Sequence, residues 1–157
     1  MKYSDQIANW LVELGYTHFF CVGGGNIMHL TESLNRKLIC IPVVNEVAAG
    51  IAAEYFNETS KKNKKALALV TAGPGLTNII TAIAGAFLES RELLVIGGQV
   101  KTQDLSFGKI RQRGIQEIDG VSITKPMTVN SKIMLEPWDK NTFSNFPNIL
   151  FHKSCIS

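Results

Sequence analysis

Short, almost wholly apolar runs alternate along this chain with stretches whose apolar residues recur at helical spacing. The runs cover residues 19–22, 38–44, 66–71 and 93–96, and helical patterns precede, separate and follow them. Strands that are apolar on both faces are typical of parallel sheets covered by helices on each side. The alternation therefore predicts an α/β fold with three α/β/α layers around a mainly parallel sheet.

Capping residues indicate where several of these helices begin and end. Ser4 is a candidate N-cap and Gly15 a stop for the first helix, Asn45 can cap the third, and a long helix is expected to run from Gly75 to about Leu88. The apolar positions of the first three helices are Ile7, Trp10, Leu11 and Leu14; Ile27, Leu30 and Leu34; and Val47, Ile51, Tyr55 and Phe56.

The 157 residues fit one domain, and the pattern decays after Met127. We therefore expect a domain over residues 1–128 and an irregular or truncated tail over residues 129–157. That tail contains Pro137 and Pro147, and its one candidate strand covers residues 148–151.

Composition excludes several classes of protein. The net charge of +3 is too small to indicate nucleic-acid binding, and the run Lys61, Lys62, Lys64, Lys65 is typical of a solvated loop. The three cysteines form no Cys-x-x-Cys pair; Cys21 and Cys40 lie in apolar runs and are expected to be small core residues. With neither a signal-peptide pattern nor an apolar run of ~18–20 residues, we expect a reduced, cytoplasmic compartment and no membrane.

Loops that leave the carboxyl ends of parallel strands form the ligand crevice of such folds. Three of these loops, at residues 23–25, 45–46 and 71–75, are rich in glycine or carry a carboxylate. The first does not form Gly-x-Gly-x-x-Gly, and Gly108-Lys109 is followed by Ile110 rather than Ser or Thr. The sequence therefore lacks both common nucleotide-binding fingerprints, and an unrelated nucleotide-binding domain is disfavoured.

Glu46 and the glycines at 73 and 75 each allow two explanations. Glu46 can be a surface residue stabilised by the dipole of the helix it begins, by about 0.3–1 kcal/mol, or a partly buried carboxyl that exchanges a proton near neutral pH. Gly73-Pro74-Gly75 can be the ordinary start of a helix, or a turn that lets a ligand approach the backbone and the free N–H groups behind it. Gly23 to Gly25 can likewise be a simple tight turn.

Three segments carry a family pattern: residues 43–56 (VVNEVAAGIAAEYF), residues 69–100 (around VTAGPGLTN), and residues 111–128 (RQRGIQEIDGVSITKPMT). Together they resemble the pyrimidine-binding, N-terminal domain of thiamine diphosphate-dependent enzymes of the acetolactate synthase type, over about residues 3–128. The resemblance implies the α/β/α fold of that domain. It also implies that Glu46 is catalytic, activating the cofactor for decarboxylation of a 2-keto acid such as pyruvate. Gln116 would lie toward the substrate, and the cofactor-binding positions would be Gly24, Gly25, Thr71, Gly73, Gly75 and Asn78.

The resemblance further implies that this domain holds only the pyrimidine half of thiamine diphosphate. The Gly-Asp-Gly motif of the diphosphate-binding domain is absent, because Asp119-Gly120 follows Ile118, so no metal site is expected in this chain. Magnesium is expected on a further domain or a partner chain. Gly24 replaces a frequent proline and Asn45 a frequent histidine of the family, which leaves the substrate open.

Several functions remain compatible with the sequence. The chain can be a fragment of a synthase-like enzyme that is inactive alone, the small subunit of a split 2-keto acid decarboxylase, or a non-catalytic assembly module. The expected partners are a second copy, in a homodimer or tetramer, or a diphosphate-binding chain. Helices 46–56 and 75–88 are rich in small residues and suited to such packing, or to packing within the domain.

Overall fold

The computed structural model describes residues 1–60 and 64–149, and a four-stranded sheet forms its centre. The strands are β1 (Tyr16–Cys21), β2 (Ile39–Pro42), β3 (Lys65–Val70) and β4 (Leu94–Gly97). All neighbouring pairs are parallel, and the strand order is β2-β1-β3-β4. The predicted parallel sheet is confirmed, with each strand within a few residues of its apolar run.

Helices connect and flank these strands. They are α1 (Tyr3–Glu13), α2 (Met28–Asn35), α3 (Glu46–Thr59), α4 (Pro74–Asn78), α5 (Ile80–Leu88), α6 (Gly120–Thr124) and α7 (Lys140–Ile149). The single long helix expected after Gly75 is thus two helices, which meet at Ile79. No helix in the described part of the chain is long and apolar enough to cross a membrane.

Two of the three predicted helix boundaries are confirmed. The Asn45 side chain accepts a hydrogen bond of 2.8 Å from the Ala48 N–H and so caps α3. Gly15 follows the end of α1 with φ +91°, the left-handed conformation that favours glycine after a helix. The prediction for Ser4 was wrong: α1 begins at Tyr3, and the Ser4 hydroxyl instead accepts a hydrogen bond from Ser33 Oγ at 2.9 Å.

Alternate side chains of the central strands enter two separate hydrophobic cores. Phe19, Cys21, Leu67 and Leu69 point to one face, where α1, α2 and Phe143 cover them. Phe20, Ala66, Ala68 and Val70 point to the other, against α3 and α5. β3 is buried on both faces, which explains its uninterrupted apolar sequence. The three-layer α/β/α arrangement is confirmed.

The apolar stripe predicted on α3 does not face the sheet as a whole. Ala49 and Ala53 are fully buried there, whereas Ile51 and Tyr55 remain 43% and 51% exposed. Small residues are needed because α3 lies very close to α5: a Cβ added to Gly50 would stand 2.4 Å from the Ala82 Cβ. The larger side chains of α3 are consequently left on the outer surface.

This close contact between α3 and α5 leads to a prediction about stability. We expect Gly50→Ala to lower the free energy of unfolding by about 1–3 kcal/mol, because two Cβ atoms cannot rotate apart and the helices must separate. Gly85→Ala on α5 is the matched control, since a Cβ there meets nothing within 4 Å. The control should raise stability by roughly 0.5–1 kcal/mol. Urea unfolding followed by circular dichroism measures both, and equal effects would contradict the packing argument.

The segment after residue 128 is more ordered than its composition indicates. Residues 128–139 are irregular, but α7 follows, and the Phe143 ring packs 5.3 Å from the Trp10 ring. The Tyr3 hydroxyl accepts a hydrogen bond of 2.7 Å from the Trp138 N–H. The strand proposed at 148–151 is not formed at its first two residues, which end α7, and the other two lie outside the described residues.

The cysteines behave as expected where they are described. Cys21 is buried and Cys40 is partly buried on the neighbouring strand, with their sulfur atoms 3.6 Å apart and both thiols free. Burial raises the pKa of the Cys21 thiol to about 12, which keeps it protonated. Both are small core residues, as predicted; Cys155, like Lys61 and Lys62, lies outside the described residues.

Candidate functional site

The loops that follow β1, β2 and β3 meet at one edge of the sheet, because all the strands run in the same direction. Backbone hydrogen bonds continue past the strand ends, from the Val43 N–H to the Cys21 carbonyl at 3.0 Å and from the Gly98 N–H to the Val70 carbonyl at 2.8 Å. These bonds fix where the loops leave the sheet. The crevice between them contains most of the residues singled out in the sequence.

Glu46 is the carboxylate of this crevice. It occupies the first turn of α3 and is half-buried, and its Oε2 accepts a hydrogen bond of 2.5 Å from Asn78 Nδ2 at the end of α4. The start of a helix favours a negative charge, because unpaired N–H groups and the helix dipole point toward it. Two predicted residues from distant segments are therefore in direct contact, and Asn78 orients the carboxylate.

Two glycines let the Thr71 side chain pack closely beside this carboxylate. A Cβ added to Gly75 would lie 3.4 Å from Glu46 Oε1 and 3.0 Å from Thr71 Cγ2. A Cβ added to Gly24 would lie only 2.4 Å from both Cβ and Oγ1 of Thr71. The backbone of Gly24 is extended, with φ −170°, so the need for glycine there is one of space alone. Gly24, Thr71, Gly75 and Glu46 thus form one continuous wall.

The Thr71 hydroxyl is a polar group without a partner. Its Oγ1 is buried, and no hydrogen bond to it is formed within residues 1–60 and 64–149. An unpaired buried hydroxyl costs about 1–3 kcal/mol, a cost that a hydrogen bond to a ligand or an ordered water would remove. Here the atom lies in the wall that also carries Glu46.

Gly73 and Gln116 form the opposite side of the crevice. Gly73 has φ +61°, and a Cβ there would lie 2.8 Å from both the Cβ and the carbonyl oxygen of Gln116. Gln116 itself has φ +60°, which is uncommon for a residue other than glycine. Its side chain is exposed. The structure therefore brings Gln116 directly onto the glycine turn, although the two residues are 43 positions apart in the sequence.

Gly25 is a predicted site residue that makes no close contact with the others. It begins a short 3-10 turn, Gly25–Ile27, and a Cβ there would meet nothing within 4 Å.

A large cavity of about 920 Å³ lies beside β4, with Leu76, Val95 and Gly97 among its lining residues. It includes neither Glu46 nor Thr71. The carboxylates that line it are instead Glu117 and Asp119.

Sequence reasoning missed Glu117, the most heavily hydrogen-bonded carboxylate near the crevice. It accepts hydrogen bonds from the Ser106 N–H at 2.6 Å, Ser106 Oγ at 2.7 Å, the Arg113 N–H at 2.8 Å and the Gly114 N–H at 3.4 Å. Backbone donation from Arg113, followed by that from Ser106, lowers the pKa of Glu117 to about 2. The available signal was a carboxylate next to Gln116 in a loop rich in glycine.

Comparison with known proteins identifies the family of this chain. Residues 1–123 match the family model described as "Thiamine pyrophosphate enzyme, N-terminal TPP binding domain". This matched range contains Glu46, Thr71, Gln116 and Glu117, together with all four strands of the sheet.

The curated proteins similar to this chain include several acetolactate synthases. The acetolactate synthase large subunit of Lactococcus lactis is 34% identical over 125 residues, 80% of this chain and 21% of that protein. The mitochondrial acetolactate synthase of Schizosaccharomyces pombe is 36% identical over 113 residues, 71% of this chain and 16% of that protein. The large subunit of Buchnera aphidicola from Acyrthosiphon pisum is 29% identical over 138 residues, 87% of this chain and 23% of that protein. The chain spans about a fifth of the length of these curated relatives. It belongs to the thiamine pyrophosphate enzyme family, as an N-terminal TPP-binding domain of the acetolactate synthase-like type.

Proposed function

We propose that this chain supplies the pyrimidine-binding half of a thiamine diphosphate site that acts on 2-keto acids, with Glu46 as its catalytic residue. The observation that carries the proposal is the position of the Glu46 carboxylate. Asn78 holds one of its oxygens, and the other lies beside Gly75, where an added Cβ would stand 3.4 Å from it. The curated relatives named above are acetolactate synthases, which supports a 2-keto acid as the substrate class.

The residues of the wall fit a flat heteroaromatic ring. Because Gly24 and Gly75 have no Cβ, the Thr71 side chain packs closely on the backbone of both loops and forms a flat part of the wall. The unpaired Thr71 hydroxyl supplies a hydrogen-bonding atom, and Glu46 Oε1 supplies another. Gly73 and Asn78 complete the pocket, and Gly25 is assigned to its entrance as the continuation of the Gly24 turn. A pocket with few polar atoms on a close backbone wall suits one ring orientation.

Each residue then has a defined task. Thiamine diphosphate, when bound, supplies a group that accepts the electrons left when a 2-keto acid loses carbon dioxide. Glu46 holds and moves a proton at Oε1, toward a ring nitrogen of the cofactor. Asn78 keeps Oε2 in place, so that the carboxylate need not reorient before the proton moves. Gln116, on the far side of the Gly73 turn, borders the space for the keto acid.

A further surface is required to complete such a site. On this chain the Glu46–Asn78 hydrogen bond is open to solvent on one side, so exclusion of water depends on a covering domain. We propose that the covering domain holds the diphosphate and magnesium, and that it belongs to another part of the enzyme or to a partner chain. The exposed apolar side chains of α3 and α5 support a partner here. They are Ile51, Tyr55, Phe87 and Leu88.

The chain alone is therefore expected to bind thiamine diphosphate weakly or not at all. The pyrimidine pocket covers only part of the cofactor, and the groups that would hold magnesium against the diphosphate are proposed to lie on the covering domain. Isothermal calorimetry with magnesium present measures this directly. Submicromolar binding to the isolated monomer would contradict the division of the site between two domains.

Exposure of that apolar surface also favours a second function, a non-catalytic assembly module that uses only α3 and α5 for packing. Co-purification from the native cell separates the possibilities. A stoichiometric partner that bears Gly-Asp-Gly supports a split decarboxylase. In the assembly module, Glu46 would be dispensable for the activity of the complex.

A further inference from the structure

We propose that Glu117 is a positioning residue, whose carboxylate fixes the loop over residues 106–114 and thereby holds Gln116 on the Gly73 turn as the substrate-side wall of the crevice. The positioning of Gln116 rests on contacts of this chain alone. The assignment of that wall to the substrate rests on the function proposed above.

The hydrogen bonds of Glu117 close the loop at both ends. Oε1 accepts from the N–H and the hydroxyl of Ser106, where the loop begins. Oε2 accepts from the N–H groups of Arg113 and Gly114, where it ends. Each oxygen therefore holds a different end, and bonds to an ionised acceptor are roughly twice as strong as those between neutral groups.

Burial of apolar side chains does not hold this loop. Phe107 and Ile115, the large apolar residues near its two ends, are 65% and 80% exposed. The backbone is also strained, because Phe107 and Gln116 adopt φ values of +50° and +60° without being glycine. Such conformations persist only where the surroundings impose them. The Glu117 carboxylate is the group positioned to do so.

The chain beyond Glu117 is anchored independently. Gln99 Nε2 donates a hydrogen bond of 2.8 Å to the Ile118 carbonyl, and Asp119 caps α6 by accepting from the Ser122 N–H at 2.9 Å. The backbone at Glu117 is therefore fixed from its C-terminal side, and the Glu117 side chain ties the loop over residues 106–114 to this backbone. Gln116 lies between these two attachments and against Gly73.

Amide hydrogen exchange on the full chain tests this role. In Glu117→Gln, the Ser106, Arg113 and Gly114 amides should exchange about tenfold faster or more, because a neutral amide oxygen is a weaker acceptor and its NH₂ group cannot accept. Glu136→Gln is the matched control, since Glu136 is exposed and lies outside the loop. Trypsin should also cut faster after Lys109, Arg111 and Arg113 in the first variant only. Unchanged exchange and cleavage would overturn the proposal.

The pH dependence separates a charge from a merely space-filling side chain. The pKa of Glu117 is lowered to about 2, so its contribution is present above the ordinary carboxyl value and is lost only as the pH falls through about 2. The loop of the unaltered chain should therefore keep its protection at pH 4, after correction for intrinsic exchange. A glutamine variant as protected as the unaltered chain at pH 7 would show that ionisation is irrelevant.

Kinetics in a complex with a diphosphate-binding chain tests the link to the substrate. Glu117→Gln should raise the KM for pyruvate by roughly tenfold and change kcat less, since Gln116 is displaced while Glu46 is intact. Faster loop exchange with an unchanged KM would overturn the role in substrate positioning. Absence of decarboxylation with the unaltered chain would count against the proposed function instead, and the exchange experiment would still decide whether Glu117 holds the loop.

Discussion

Glu46→Gln is expected to lower 2-keto acid decarboxylation by about 10²–10⁴-fold in a complex that contains a diphosphate-binding chain. A carboxamide has nearly the same size but cannot hold or deliver the proton that a carboxyl group exchanges. Its carbonyl oxygen can still accept the hydrogen bond from Asn78 Nδ2. The substitution should therefore lower kcat and leave the free energy of unfolding nearly unchanged.

The matched control for this substitution is Glu58→Gln. Glu58 lies on the same helix, α3, but is exposed on its last turn, away from the crevice. Single-turnover decarboxylation of pyruvate and urea unfolding should be measured for both variants. If Glu46→Gln retained full activity, Glu46 would not be the catalytic group, and the assembly module would be the better account.

Gly73→Ala is expected to destabilise the chain by about 3 kcal/mol. An alanine at φ +61°, ψ −116° enters a sparsely populated conformation that costs about 1–3 kcal/mol for an L-residue. Its methyl group would also stand 2.8 Å from the backbone carbonyl oxygen of Gln116, and such overpacking typically costs about 1–3 kcal/mol more. Relief of the clash should push Gln116 away from the turn.

Urea unfolding and hydrogen exchange of residues 111–118 measure the two parts of this effect. Gly23→Ala serves as the control, because a Cβ at Gly23 meets nothing within 4 Å and its backbone is not left-handed. That control should change stability by no more than about 0.5 kcal/mol. Similar results for the two variants would mean that the Gly73–Gln116 contact is not tight in solution.

The sheet could be predicted from the sequence because a strand buried on both faces leaves a visible apolar run, as in residues 66–70 of β3. The division between α4 and α5 could not, since Ile79 is itself apolar and continues the helical pattern across the break. The exposure of Ile51 and Tyr55 on the outer face of α3 could not be predicted either. Periodicity locates an apolar stripe, but the contact between Gly50 and Ala82 decides which face of α3 packs against α5.

Some residues of the candidate site could also be predicted from the sequence, and others could not. Glu46, Thr71 and the glycines could be predicted because they follow strands whose ends must meet, and because the family pattern singles them out. Glu117 could not, since its donors come from Ser106, Arg113 and Gly114, and only the folded loop brings them together. The unpaired Thr71 hydroxyl also depends on its surroundings in the fold rather than on the identity of the residue.

The absence of any gap between Gly50 and Ala82 bears on how such a protein can diversify. One turn separates Gly50 from Glu46, so the helix that presents the acid is locked against its neighbour and tolerates little drift in sequence. Both ends of the loop ahead of Gln116 are hydrogen-bonded to one side chain, Glu117, and the loop carries no core residue between 107 and 114. On the function proposed above, substitutions in this loop would alter the substrate side of the crevice and leave the helix that carries Glu46 unchanged.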